Sequence, residues 1–146
     1  MNQAASNRYL VRILPLLLLV LAFSVQGQAP AVSVEDGKAV FLESILRNTT
    51  WPNEANIEFF ILGLQGRDRP LSRVLKAELA AVRVRGKPVV VRSYNTPEAA
   101  REAHVLVLAG YRNSELPAIS RALQGSQTLL VTDQASDARY IMINFT

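Results

Sequence analysis

The chain has 146 residues, enough for about one domain with a real apolar core. Hydrophobic residues make up 49% and charged residues 19%, a globular composition with an apolar excess, and the absence of cysteine excludes disulfides, thiolate metal sites and a cysteine nucleophile. The formal net charge is +4, two units of which come from Arg8 and Arg12, so the part beyond residue 27 carries only +2, too little to argue for a nucleic-acid partner.

The first 27 residues read as a secretory signal. Arg8 and Arg12 form the positive start, residues 13–23 the apolar stretch, and Val25-Gln26-Gly27 a small-residue cleavage site, with the cut placed after Gly27. The rival reading is an uncleaved anchor over 10–25, somewhat short for a span, which needs about 20 residues. Either way the remainder is delivered across a membrane, and a periplasmic location is expected.

Residues 28–37 are assigned to a linker and lead-in, and the folded domain is drawn over 38–146. An amphipathic helix is predicted over 34–48, with Val40, Phe41, Ile45 and Leu46 on one stripe. Trp51-Pro52 makes a rigid exit, because the residue before proline avoids the helical region. Trp51 is either an anchor in the core or a half-exposed binding contact.

A first strand is predicted over 57–64. Gly63 and Gly66 then lead through a polar stretch into a helix from Pro70 to about Leu79. Such a turn can approach a phosphate at a helix N-terminus, but the spacing fits neither the dinucleotide fingerprint nor the P-loop, and an ordinary strand-to-helix turn is the simpler reading. A short extended piece over 82–85 turns at Gly86 into a valine-rich strand over 89–94. Arg83, Arg85 and Lys87 there read as a solvated basic turn. Thr96 and Pro97 start a short crossover helix over 99–103.

Residues 103–110, Ala-His-Val-Leu-Val-Leu-Ala-Gly, are a nearly unbroken apolar run, as expected of a strand buried on both faces at the centre of a sheet. Ser114 is placed as the cap of a helix to about Gln124, stopped by Gly125. Strands follow over 128–132 and 140–145. Strand–helix alternation implies right-handed crossovers and an α/β three-layer sandwich: a mostly parallel sheet of about five strands flanked by helices. The chain stops at a strand, so the last elements of the domain are expected to be missing.

In an open parallel sheet ligands sit beyond the carboxyl ends of the strands. Those ends bring up Gln65 and Gly66, Tyr94 and Asn95, Gly110 and Tyr111, and Asp133 and Gln134. No catalytic residue, metal site or cofactor is expected from this set. Asp133 is a turn cap or a ligand contact, and Tyr94, Tyr111 and Asp133 are the candidate ligand-binding residues. His104, the only histidine, falls at the opposite end of its strand and reads as structural.

Several stretches, in order, resemble the periplasmic YfiR family. They are residues 41–52 with their Trp51-Pro52 pair; Gly86-Lys87-Pro88-Val89; residues 104–110; Leu116-Pro117-Ala118-Ile119; Leu130-Val131-Thr132-Asp133; and Met142-Ile143-Asn144-Phe145. Asn48 stands where the family usually has an aromatic. Ala103 stands where many members have cysteine, and Arg139-Tyr140-Ile141 replaces paired glycines. The resemblance implies a non-enzymatic periplasmic regulator that restrains a membrane-bound diguanylate cyclase, so that cyclic di-GMP output and biofilm formation depend on the complex. The partner implied is an inner-membrane diguanylate cyclase or sensor kinase, with a homodimer also open. Phe41, Ile45, Arg47 and Trp51 are the candidate partner-binding residues. The alternative function is a small-ligand sensor domain, as at the N-terminus of a sensor kinase or cyclase.

Overall fold

The computed structural model describes residues 32–146. The secretory-signal reading of residues 1–27, its cleavage site and the rival anchor lie outside the described residues. Among the described residues, no helix is long and apolar enough to cross a membrane.

Helix α1 spans Val34–Asn48. It starts at Val34 because Ser33 and Asp36 form a reciprocal capping box: Asp36 N donates to Ser33 Oγ at 3.1 Å and Ser33 N to Asp36 Oδ2 at 2.9 Å. The helix thus takes in residues 34–37 of the stretch assigned to a linker. Its buried residues are Ala39, Leu42, Ile45 and Leu46, not the predicted stripe through Val40 and Phe41. Both stripes share Ile45 and Leu46. The small Ala39 and the fully buried Leu42 settle which is inside, and Val40 and Phe41 are left 67% and 45% exposed.

The sheet order is β2-β3-β1-β4-β5-β6, with β1 at Phe60–Gln65, β2 at Arg83–Val84, β3 at Lys87–Tyr94, β4 at Val105–Leu108, β5 at Leu129–Asp133 and β6 at Ile143–Phe145. Every pairing is parallel except the β2–β3 hairpin. The expected mostly parallel α/β sandwich is therefore borne out, with the short 83–84 piece joining as a sixth, antiparallel edge strand. Helix α2, Arg69–Glu78, makes the β1–β3 crossover. A 3-10 turn at Ala99–Glu102 replaces the predicted helix before β4. Helix α3 is only Leu116–Ala122. Its predicted start at Ser114 falls instead within a 3-10 segment, Gly110–Glu115.

Side chains alternate across the sheet. Phe60, Leu62 and Leu64 of β1 point with Val105, Val107 and Val131 towards α1 and α2, while Leu106, Leu108 and Leu130 point to the other face, against Leu116 and Ile119 of α3. All six residues of β1 are buried, as are all four of β4, so these two strands form the centre. Gly63 of β1 is where the second face is tightest. A Cβ there would meet Tyr94 Cε2 at 2.8 Å, Ala103 Cβ at 3.0 Å and Leu106 Cδ1 at 3.0 Å.

His104 occupies the amino end of β4 as a structural link. Its Nδ1 accepts from Ile61 N at 2.9 Å, which requires a neutral ring with the proton on Nε2. Its N donates to Ile61 O at 2.9 Å, and its O accepts from Leu129 N at 2.9 Å. Trp51 and Phe60 meet the ring edge-on, with centroids 5.6 and 5.1 Å away. Trp51 itself is buried and donates its Nε1 proton to Gln127 O at 3.1 Å, so of its two readings the structure takes the core one. Burial holds the His104 pKa below the ordinary imidazole value, against a smaller opposing pull from the Glu54 carboxylate.

Two outcomes follow for stability. Gly63→Ala should destabilise by about 1–3 kcal/mol in urea unfolding, the usual cost of overpacking. The neutral His104 stabilises fully above about pH 6.5, and this is lost as pH falls through the unfolded-state value towards the lower folded-state one. The urea midpoint should therefore drop between about pH 7 and pH 5.5, and His104→Asn, which keeps an acceptor but cannot be protonated, should flatten that slope. An unchanged slope in His104→Asn would remove the assignment.

Candidate functional site

At the carboxyl end of the sheet the candidate ligand residues are placed apart. Tyr94 ends β3 and Asp133 ends β5, with β1 and β4 between them, about 14 Å at ordinary strand spacing. The Tyr94 hydroxyl donates to Glu102 Oε1 at 2.8 Å, and Arg92 Nη1 donates to the same oxygen at 2.9 Å. Burial and then the bonded Glu102 carboxylate push the Tyr94 phenol up to about 12. The Asp133 carboxylate is taken by Lys38 of α1, Nζ to Oδ2 2.6 Å. The Tyr111 ring is exposed, and its hydroxyl accepts from Arg67 N at 3.1 Å. Each of the three is thus tied to a different neighbour, and they do not converge on one cavity.

Between β1 and β4 the rim is closed by the chain itself. A Cβ on Gly66, which has φ +95°, would meet Arg112 Cδ and Nη1 at 2.8 Å and Tyr111 Oη at 2.9 Å. Gln65, the residue before Gly66, is buried, and neither end of its amide has a hydrogen-bond partner among the described residues. It lines a narrow recess with Leu64, Asp68, Leu71, Val107 and Ala109. Among the described residues, no group of three or more His, Cys, Asp or Glu side chains is placed to hold a metal ion.

The four candidate partner-binding residues divide by burial. Ile45 is 8% and Trp51 4% exposed, both inside the α1–sheet core. Arg47 lies on the surface, where its Nε donates to Glu43 Oε1 at 2.7 Å and its Nη1 to Arg83 O at 3.1 Å. Phe41 is exposed and packs edge-on against Phe145 of β6, with centroids 5.3 Å apart. Lys38 lies over the same Phe145 ring at 5.6 Å. Val34 and Val40 of α1 are exposed as well, as is Met142 before β6. An apolar ridge therefore runs along the outer side of α1, and Phe41 joins it to the last strand. The sequence reading missed Val40 as a surface residue because it ran the core stripe through Val40 and Phe41 in place of Ala39 and Leu42.

The basic turn is not simply solvated. Arg85 donates to Leu46 O at 3.2 Å, Arg47 O at 2.8 Å and Thr49 O at 3.1 Å, and pairs with the Glu54 carboxylate. Lys87 Nζ donates to Glu54 O at 2.8 Å, Ala55 O at 3.3 Å and Ile57 O. Both cations serve the end of α1 and the loop that follows it.

A comparison with curated proteins finds no match. The family model described as YfiR/HmsC-like matches residues 35–146, the whole of the sheet and its helices. With the order of elements, the buried Trp51 after α1 and the parallel sheet on the page, the chain belongs to the YfiR/HmsC-like family, whose members are regulatory proteins associated with membrane diguanylate cyclases.

Proposed function

We propose that this protein is an exported, non-enzymatic regulator that restrains a membrane-bound diguanylate cyclase by contact with its periplasmic part, and so lowers cyclic di-GMP signalling and biofilm formation. The observation that carries the reading is the apolar ridge of α1. Val40 and Phe41 stay exposed on a helix whose inner face is fully packed, and Phe41 extends the ridge to Phe145. Apolar side chains gathered at one surface mark a contact site for another protein. A regulator of this kind works by binding one state of its partner better than the other, and shifts that equilibrium by no more than the difference.

Within this reading Phe41 is the contact and Arg47 the charged flank, while Ile45 and Trp51 act from inside by fixing the helix. The sensor alternative asks Tyr94, Tyr111 and Asp133 to share a ligand, whereas each already has its own partner. A photocrosslinker placed at Val40 should capture an inner-membrane protein with a cyclase domain. Phe41→Asp and Arg47→Glu should each cut capture about tenfold or more, a loss of at least about 1.4 kcal/mol of binding, with thermal melting little changed. Capture unchanged in both variants would overturn the proposal, and capture of a second copy would assign the ridge to a homodimer instead.

A further inference from the structure

Three cations of α2 and one in the loop before it stand without anionic partners among the described residues. Arg67, Arg69, Arg73 and Lys76 line a groove of about 380 Å³, together with Ser72 and Ser93. Among the described residues none of the four forms an ion pair, whereas Lys38, Arg47, Arg85, Arg92, Arg112 and Arg139 each have a carboxylate partner. Asp68 is the one acid in the lining, and its Oδ1 is engaged as the α2 cap, accepting from Leu71 N at 3.1 Å. Arg69, Arg73 and Lys76 follow one another at four and three residues, so they share a face of the helix.

The amino end of a helix carries partial positive charge and favours acids. In α2 the cap Asp68 and the last-turn Lys76 follow that field, whereas Arg69 and Arg73 in its first half run against it. Helix α1 follows the rule, with Glu35 and Asp36 first and Arg47 last. Like charges close together near the positive end of a helix repel, and an anion between them is favoured. Local departures of this kind are expected at functional sites. The groove also opens beside the carboxyl ends of β1 and β3, where parallel sheets receive ligands.

We infer that this groove binds a phosphate-bearing anion. Three guanidinium forks match phosphate oxygens in bidentate geometry, which a single carboxylate would not use fully. The two serine hydroxyls add neutral donors, and the volume falls within the usual range for small-molecule sites of about 300–1,000 Å³. The phosphate has two sources, a soluble phosphate ester or an anionic phospholipid headgroup.

The test uses the purified full-length protein with pyrophosphate in titration calorimetry, and with vesicles of phosphatidylcholine alone or with phosphatidylglycerol at roughly three to one in sedimentation. Saturable pyrophosphate binding is expected, weakening with added salt and falling about tenfold or more in Arg69→Glu/Arg73→Glu. Arg121→Glu, on α3 and outside the groove, should bind as the parent does. Arg69→Gln/Arg73→Gln, which adds no new charge, should lose binding as well and still melt cooperatively. Sedimentation with phosphatidylglycerol vesicles that pyrophosphate competes away would assign the headgroup as the source. Pyrophosphate binding without sedimentation would assign a soluble phosphate. Absence of saturable pyrophosphate binding, or binding equal in parent and both double variants, would overturn the inference. The measurement needs no cyclase, so it stands or falls apart from the contact reading of α1.

Discussion

Arg85 is the residue on which the placement of α1 depends. It sits with Gly86 at the tip of the β2–β3 hairpin, at φ +49° and +82° respectively. A two-residue hairpin turn with positive φ at both positions suits Asn-Gly or Asp-Gly. An arginine in the left-handed region costs about 1–2 kcal/mol. The guanidinium offsets that cost by taking carbonyls of Leu46, Arg47 and Thr49, which a helix end leaves without intrahelical partners, and by pairing with Glu54. It also lies over the Phe60 ring at 5.1 Å. One side chain thus ties an edge hairpin, the end of α1 and the entry to the central strand into one unit.

The other end of α1 is tied by Lys38 to Asp133, at the far carboxyl end of β5. The helix is therefore held at its last turn by the β2–β3 edge and near its first turn by the β5–β6 side. Between these anchors Ala39, Leu42, Ile45 and Leu46 fill the sheet face. The rotation of the helix is fixed by that packing, and with it the outward direction of Val40 and Phe41. A surface that must present the same apolar residues to a partner benefits from such fixed geometry, because less ordering entropy is lost on contact.

The central strand and the two covered faces of the sheet were legible because the central runs are apolar and short. Residues 103–110 announced a doubly buried strand, and the valines of 89–94 announced a second strand, of which Val89 is buried and Val90 and Val91 are half-buried. Strand ends were less legible, since a parallel strand extends only as far as its neighbours pair with it. Residues 57–59 were predicted as strand, but β1 begins at Phe60, and the Ile57 carbonyl is taken by Lys87. The basic turn was misread because its partners, the carbonyls at the end of α1, lie 36 to 39 residues away in sequence. The α2 groove was invisible for the opposite reason. Its cations look like any solvated helix face until their lack of partners and the open space beside them are seen together.

The centre of the carboxyl rim is occupied by the chain's own side chains. In doubly wound sheets the crevice where connections diverge to opposite sides is the usual ligand seat. Here that crevice lies between β1 and β4. The β1 connection leaves through α2 on one face, and the β4 connection through α3 on the other. Tyr111 and Arg112 fill it over Gly66, with Arg112 held in place by Glu115. Among the described residues, the exposed apolar edge of α1 and the cationic face of α2 both lie in the layer that covers one side of the sheet.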